Sequence, residues 1–324
     1  MKNKPSDIKY CKVRKEIIQK VNPKLNHENL KHFYDWMSER YNIHLKKDIE
    51  KLPAPWTSNP VLLKYKFTNV RREHDRESIW LIKNICLNKE LSYENKILNA
   101  ILFRLINKSE SLEIIGLQEF DNLNLDEVRK KIEDQIKKNP KYIWFSNAFF
   151  TSGPKSTANR LFNKSQGNMI NMILLVKDYY QGAIIERIQQ SKNQDQVYKT
   201  MLRLPGLGQF LAYQIFVDLT YIPEFPFSEN EFVIAGPGCI KGLKYLFNNF
   251  SGLTYEESLF WLRDNKYAIL KEFGYEPQEL FIDLPEYDRY LNVMSLENCM
   301  CELSKYIRTI TGKGRPRILY KHIM

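Results

Sequence analysis

Long stretches of the chain repeat apolar residues every three or four positions, the spacing that aligns side chains along one face of an α-helix. One such face, in residues 27–41, consists of Leu30, Phe33, Tyr34, Met37 and Tyr41. A second, in residues 92–107, follows a serine suited to cap a helix and consists of Ile97, Leu98, Ile101, Leu102 and Leu105. Residues 124–139 alternate acidic and basic side chains, as a solvated helix face does. The pattern predicts an all-α fold.

Clusters of proline and glycine separate the helical stretches and predict the turns between them. They fall at residues 51–60, 151–156, 204–208, 222–227, 235–238 and 312–317. The sequence contains no internal repeat and no low-complexity linker. We therefore predict a basic N-terminal extension over residues 1–26 and a helical domain over residues 27–324. The helical domain is either one body or two lobes that meet near residues 150–165.

Composition narrows the cellular setting. With 324 residues, of which 43% are hydrophobic, the chain can bury the core of one large domain or of two closely packed ones. No apolar run approaches the roughly 20 residues that span a bilayer, and the N-terminus lacks an apolar signal segment, so we expect a cytoplasmic protein with no membrane partner. The five cysteines and five histidines show neither CxxC nor HExxH spacing. We therefore expect reduced thiols, no bound metal and no cofactor.

The balance of charges indicates a class of partner. Lysine and arginine outnumber aspartate and glutamate by 49 to 38, and the isoelectric point is near 9.2. Such a chain attracts polyanions, of which nucleic acid is the natural one. The alternative is an organism whose proteins are generally rich in lysine.

The sequence RLPGLGQFLAYQIFVDL, at 203–219, is the clearest local motif. A helix end, a Pro-Gly-x-Gly turn and an apolar helix follow one another, as in a helix-hairpin-helix. In that motif, free N–H groups at the start of the second helix bind a DNA phosphate. The residues predicted to contact nucleic acid here are Pro205, Gly206, Gly208 and Gln209. The alternative is a plain pair of antiparallel helices.

Two further features follow this turn. Asp218 lies among apolar residues of the second helix, where a carboxylate needs a partner or acquires a raised pKa that suits a general base. A structural capping role for Asp218 is equally open. The sequence ENEFVIAGPGCIKGLK, at 229–244, predicts a helix that begins after a Gly-Pro-Gly turn. The N-terminus of such a helix, with its lysines, is able to bind a phosphate group, although glycine-rich turns are common in proteins without such a site. Its candidate nucleic-acid contacts are Gly236, Gly238 and Lys241.

The sequence KFTNVRREHDRESI, at 66–79, concentrates charge directly before an apolar stretch. If residues 67–87 form one helix, Asn69, Arg72 and Arg76 line one face of it. Asp75 then lies three residues from Arg72 and is able to orient it. Two guanidinium groups beside an apolar wall make a pocket for a phosphoryl or pyrophosphoryl group. The alternative is a surface helix with internal ion pairs.

The C-terminal region predicts a helix followed by a basic tail. One face of this helix carries Glu297, Cys301, Lys305 and Arg308. Glu302 precedes Lys305 by three positions, so the two side chains are able to pair. The tail contains glycine and proline, which suit contact with a strand backbone, and its cations are Lys313, Arg315 and Arg317. The alternative is a solvated end.

Four blocks of the chain, taken in order, resemble the helical domain of 5-hydroxymethyluracil DNA kinases and of the related α-glutamyl/putrescinyl thymine pyrophosphorylases of DNA thymine hypermodification. The blocks are PAPWTSNPVLLKYKFTNVRREHDR, LPGLGQFLAYQIFVDL, EFVIAGPGCIKGL and CELSKYIRTITGKGRPR. The resemblance spans residues 27–322 and implies a DNA-glycosylase-like helical fold that binds double-stranded DNA and everts a modified thymine. The family's motif residues correspond to Phe67, Thr68, Asn69, Arg72, Asp75 and Arg76, and to Cys301, Glu302, Lys305, Tyr306 and Arg308.

The first hypothesis is a DNA base-modifying transferase, in which an amine or amino-acid donor displaces pyrophosphate from an activated 5-hydroxymethyluracil. Arg72 and Arg76 would hold the leaving group, and Lys305 would neutralise the departing phosphate. Glu302 or Asp218 would accept the proton of the attacking amine. The predicted catalytic residues are Asn69, Arg72, Asp75, Arg76, Asp218, Glu302 and Lys305.

Two other hypotheses stay open. The sequence has no GxxxxGK[ST] phosphate-binding loop, because SGPKST at 152–157 is too short. A kinase function would then need an ATP site in a separate P-loop DNA kinase, to which this chain presents DNA as a binding module. A DNA glycosylase or lyase would instead leave abasic sites.

Overall fold

The computed structural model describes residues 13–119, 121–146, 184–204, 207–272, 274, 291–316 and 318–320. These residues are mostly helical and include two short strands, so the predicted all-α fold is confirmed. Within these ranges, no helix is both long and apolar enough to cross a membrane. The chain divides into two compact units: the first takes residues 1–75 and 232–324, and the second takes residues 76–231. The predicted meeting point near 150–165 lies outside the described residues.

The described elements follow one another in this order: α1 (Lys15–Ile18), β1 (Lys24–Leu25), α2 (His27–His44), α3 (Pro60–Lys64), α4 (Arg76–Leu81), α5 (Tyr93–Ile106), α6 (Ser109–Ile115), α7 (Leu125–Lys138), α8 (Ile184–Gln189), α9 (Gln194–Leu202), α10 (Gln209–Leu219), α11 (Pro237–Leu246), β2 (Phe247–Asn249), α12 (Tyr255–Glu272) and α13 (Val293–Ile310). π-Helical turns continue α2 and α4 over Leu45–Ile49 and Ile82–Cys86, and a 3₁₀ turn spans Arg72–His74.

Helices α2, α5 and α7 confirm the predictions made from apolar spacing, from the capping serine and from alternating charges. The Ser92 hydroxyl accepts a hydrogen bond from the Asn95 N–H at 3.2 Å, which starts α5 as the sequence predicts. Asn124 caps α7 in the same way, through the N–H of Glu127. The five residues of the predicted apolar face of α2 are all buried.

In the first unit, α11 packs against α13 at backbone contact. A Cβ placed on Gly242 would lie 2.0 Å from the carbonyl oxygen of Met300, and one on Gly238 would lie 2.3 Å from Cys301 Sγ. Only glycine lets the two helices approach this closely. Strands β1 and β2 pair antiparallel in the same unit, with Lys24 opposite Asn249.

Gly242→Ala is expected to destabilise the first unit by about 3 kcal/mol, because its new methyl group meets a helix backbone that cannot rotate away. Urea unfolding followed by circular dichroism measures this loss. Gly208→Ala is the control, since its Cβ meets no atom within 4 Å, and a loss of no more than about 1 kcal/mol is expected there. Equal stability of the Gly242→Ala variant and the wild type would contradict the close contact.

The predicted single helix over residues 67–87 is wrong. The chain has no regular structure at 66–71, forms the 3₁₀ turn, and is extended again at Asp75 (φ −74°, ψ 141°) before α4 begins. Asn69, Arg72 and Arg76 therefore do not share one helical face. The reason is tertiary, because side chains of α13 take the hydrogen bonds that a local helix would have made.

Candidate functional site

Two blocks that carry the family resemblance meet in the first unit, although they lie far apart in sequence. The carboxylate of Glu302 accepts a hydrogen bond from the Thr68 N–H at 3.3 Å, across 234 positions. The Asn298 side-chain amide donates to Thr68 Oγ1 at 3.2 Å and to the Asn69 carbonyl at 3.3 Å. The Phe67 ring packs edge-on against Tyr306, with centroids 6.1 Å apart. The segment 67–70 is thus fixed along α13.

Glu302 and Lys305 form the ion pair that their spacing predicts. Glu302 Oε1 pairs with Lys305 Nζ, and the glutamate is only 1% exposed. Because Glu302 Oε2 holds the Thr68 N–H, both carboxylate oxygens have partners. The Lys305 side chain is 31% exposed, so its ammonium lies near the surface while its counter-charge is buried. The arrangement fixes a cation at the site.

Glu297 is a residue of this cluster to which the sequence assigned no role. Burial raises the pKa of its carboxyl from the ordinary 4.5 to about 7, while a hydrogen bond from Gly236 and the charge of Arg72 act in the opposite direction. The Gly236 N–H lies 3.1 Å from Glu297 Oε1, at the start of α11. A carboxyl that titrates near neutrality is suited to accept or donate a proton. The sequence feature that could have identified Glu297 is its position on the same predicted helical face as Cys301.

Several buried polar atoms beside this cluster have no hydrogen-bond partner among the described residues: Arg40 Nη1, Asn69 Oδ1 and His74 Nδ1. Asn69 uses its amide nitrogen to donate to the His74 carbonyl at 2.7 Å. Each unpartnered buried atom costs about 1–3 kcal/mol. Water or a polar ligand would satisfy them, so this part of the first unit is a candidate binding region.

Two histidines line this region. The rings of His44 and His74 stack at 4.1 Å with an interplanar angle of 13°. Burial lowers the pKa of His44, and burial together with the neighbouring His44 lowers the pKa of His74 to about 3. Both rings are therefore neutral at physiological pH, which allows them to stack without charge repulsion.

Asp218 occupies a different environment from the one that a general base requires. In the second unit its two carboxylate oxygens accept hydrogen bonds from Arg104, each at 2.6 Å, and its side chain is fully buried. Arg104 also donates to Asn107 Oδ1 at 2.9 Å. This buried ion pair joins α5 to α10 and favours the structural alternative for Asp218.

Arg76 belongs to the second unit, whereas Arg72 belongs to the first. The Arg76 side chain is 77% exposed and lies 2.7 Å from Glu77 and 3.5 Å from Glu110. These contacts are ion pairs at the surface, as expected from the alternative interpretation of this segment as a surface helix. Asp75 is exposed at the boundary between the 3₁₀ turn and α4. The predicted arrangement of two arginines on one helix is not formed.

The glycines of the second candidate phosphate site contact protein groups. The N–H groups of Ala235 and Gly236 donate to the carboxylates of Glu256 and Glu297, at 3.0 and 3.1 Å. Gly238 packs against Cys301, as described above. Lys241 is exposed. Binding of a DNA phosphate by Gly236 and Gly238 stays a prediction. In the structure, protein carboxylates accept the N–H bonds that a phosphate would accept at the start of this helix.

The model of the family described as 5-hmdU DNA kinase, helical domain, matches residues 27–315. The chain belongs to this family. A 5-hmdU DNA kinase of Bacillus phage SP10 is 27% identical over 279 residues, which are 83% of this chain and 43% of that protein. This helical-domain chain thus spans less than half the length of its phage relative. No solved structure matches it.

The structure describes parts of the segments predicted as a hairpin and a basic tail. Helices α9 and α10 flank the turn, where Gly208 and Gln209 are exposed. Lys313 and Arg315 of the tail are exposed as well. Other predicted contacts lie outside the described residues: Pro205, Gly206 and Arg317. The helix-hairpin-helix and its DNA contacts stay predictions. No group of three or more His, Cys, Asp or Glu side chains in the described ranges is arranged to hold a metal ion.

Proposed function

We propose that this helical-domain chain binds double-stranded DNA that contains 5-hydroxymethyluracil and modifies the everted base as a transferase, with an amine displacing pyrophosphate from the activated base. The observation that carries the proposal is the near-neutral carboxyl of Glu297 on α13, on which the charge of Arg72 acts, with the Lys305 ammonium eight positions further along the same helix. Cations suit the leaving group, and the carboxyl suits the proton of the amine. A cytoplasmic location is part of the same proposal.

In the proposed reaction the amine nitrogen forms a bond to the exocyclic methylene carbon of the base. The carbon–oxygen bond breaks, and pyrophosphate departs with the bonding electrons. Arg72 and Lys305 stabilise the charge that develops on it. Glu297 accepts the proton that the amine gives up, since Glu302 and Asp218 are each already paired with a cation. Everting the base is what brings its methylene carbon to these groups.

The test is to incubate the protein with duplex DNA that carries pyrophosphorylated 5-hydroxymethyluracil and an amine donor, then digest the DNA and weigh its nucleosides. A nucleoside heavier by the amine is expected, together with free pyrophosphate. Arg72→Ala and Lys305→Ala are expected to lower its yield, whereas Lys271→Ala, an exposed lysine of the same unit, leaves it unchanged. Recovery of the starting nucleoside alone contradicts the proposal, and abasic sites indicate a glycosylase or lyase.

A second candidate function follows from the length of the phage relative, which is named a DNA kinase and extends well beyond the part that this chain matches. Here the chain is a module that binds DNA and presents the hydroxymethyl group to a separate P-loop kinase. Phosphate transfer from ATP to the DNA should then require both proteins. Adding this chain to such a kinase, with labelled ATP and hydroxymethyluracil DNA, separates the two functions.

A further inference from the structure

The first unit presents a surface that none of the functional roles described so far uses. Exposed lysines and exposed apolar side chains alternate on it, and we call it the basic aromatic patch. Its lysines are Lys46, Lys47, Lys51, Lys64 and Lys66. Its exposed apolar side chains are Ile49, Leu52, Ile318 and Leu319, each exposed by between 46% and 63%. Its two aromatic rings are Trp56 and Tyr320.

Hydrogen bonds hold the patch in one shape. The Leu52 N–H donates to the Lys46 carbonyl at 2.8 Å, and Trp56 Nε1–H donates to the Leu52 carbonyl at 2.7 Å. Tyr65 and Leu319 form an antiparallel bridge, which is flanked by N–H to carbonyl bonds of 3.0 Å from Lys66 to Ile318 and from Tyr320 to Lys64. Loop and tail are therefore parts of one built surface.

The two rings of the patch already hold a cation. Trp56 and Tyr320 meet edge to face at 6.0 Å, and the ammonium of Lys47 lies 5.5 Å from one ring centroid and 5.6 Å from the other. Rings that attract a cation also offer a flat face to a nucleobase. Lys47 is long and flexible, so it can move from the rings to a phosphate.

We propose that the basic aromatic patch binds an unpaired stretch of a DNA strand, with a base stacked on Trp56 and Tyr320 and with the lysines neutralising the phosphates. Charge complementarity favours this occupant, because residues 46–52 carry three of the five lysines against two carboxylates, Asp48 and Glu50, and Lys64 and Lys66 add two further positive charges. Lysine is depleted in the centres of protein interfaces, which disfavours a protein partner. Aromatic rings beside lysines are the usual construction of single-strand sites.

The patch is continuous with the candidate functional site. Arg40 Nε donates to the Phe67 carbonyl at 3.3 Å, and burial lowers the pKa of Arg40 while the nearby Tyr320 acts in the opposite direction. Lys66 directly precedes the segment that is fixed along α13. The inference rests on the proposed function in one respect: everting a base leaves neighbouring nucleotides unstacked, and the patch supplies a surface for them.

The experiment measures binding of an unmodified single-stranded oligonucleotide by fluorescence anisotropy at several salt concentrations. Trp56→Ala is expected to raise Kd about 5- to 100-fold, and Trp56→Phe, which keeps an aromatic ring, to restore most of the affinity. The triple variant Lys46→Ala, Lys64→Ala and Lys66→Ala should reduce the slope of log K against log salt by about 2. Unfolding midpoints of the variants show that each is folded.

The matched control removes the same charge elsewhere, from the exposed residues Lys130, Lys138 and Lys141 of the second unit. If that triple variant lowers the slope equally, or if Trp56→Ala leaves Kd unchanged, the proposal is wrong. A dimer in sedimentation that Trp56→Ala abolishes without affecting DNA binding would make the patch a protein interface instead. Because the oligonucleotide lacks the target base, failure here is separate from failure of the transferase reaction.

Discussion

Asp218→Ala is expected to lower the free energy of unfolding of the second unit by about 3–5 kcal/mol, because it leaves the guanidinium of Arg104 buried without its counter-charge. Arg104 and Asp218 are each within 4% of complete burial at the side chain, and two bonds of 2.6 Å join them. Urea unfolding at neutral pH measures the change. Asp126→Ala is the control, since its pair with Arg129 is exposed and its removal is expected to cost no more than about 1 kcal/mol.

A double variant makes this prediction sharper. Arg104→Met combined with Asp218→Leu removes both charges and fills the space with apolar atoms, so it should recover much of the lost stability. The Asn107 side chain loses one bond in that variant, which leaves the recovery incomplete. A double variant as unstable as the single one, or an Asp218→Ala variant as stable as the wild type, would contradict a structural role for the pair.

In the proposed transferase reaction, Glu297→Gln is expected to lower the rate of base modification about 10²- to 10⁴-fold, because glutamine cannot accept the proton of the amine. In the wild type the rate should rise with pH through about 7, where Glu297 loses its own proton. The measurement is the yield of modified nucleoside at a series of pH values between 5 and 9. The control is Glu256→Gln. The Glu256 carboxylate accepts a hydrogen bond from the Ala235 N–H, next to the Gly236 N–H that Glu297 accepts just before α11. A wild-type rate profile in the Glu297→Gln variant would exclude Glu297 as the proton acceptor.

The same group makes stability depend on pH in a definite direction. The folded chain binds the Glu297 proton up to about pH 7, whereas the unfolded chain releases it near the ordinary value of 4.5. The contribution of this group to the free energy of unfolding is therefore fully present below pH 4.5 and is lost as pH rises to about 7. Glu297→Gln should lack this fall, and the difference between the two unfolding curves isolates it. A difference that does not change with pH would contradict the raised pKa.

The elements that the sequence predicts well are those that local signals define. Helix α5 has its capping serine and an apolar stripe, and α2 has its apolar face, so both were predicted close to their bounds. The segment 67–87 has a helical spacing of charges but no helix at its start. Its backbone bonds to Glu302, Asn298 and Cys299 of α13, and no local pattern announces a partner more than 200 positions away.

In the candidate site, too, features set by neighbouring residues in the sequence are predictable, whereas features set by distant residues are not. The pairing of Glu302 with Lys305 follows from their spacing on one helix and was predicted. The raised pKa of Glu297 depends on burial beneath the start of α11, which in turn depends on two glycines that let α11 approach. Asp218 was recognised as a carboxylate in apolar surroundings, but its partner Arg104 lies 114 positions earlier. Local chemistry was thus predictable, and the identity of the neighbour was not.

The contact between Gly242 and Met300 has a mechanical consequence. Two helices that meet without intervening side chains cannot slide past each other, since any axial shift drives one backbone into the other. Glu297 on α13 and Gly236, which caps α11, are consequently expected to keep their 3.1 Å contact when the proposed substrate binds. Adaptation to a bulkier substrate has to come from loops such as residues 50–58, and attempts to broaden substrate range by mutation should begin there.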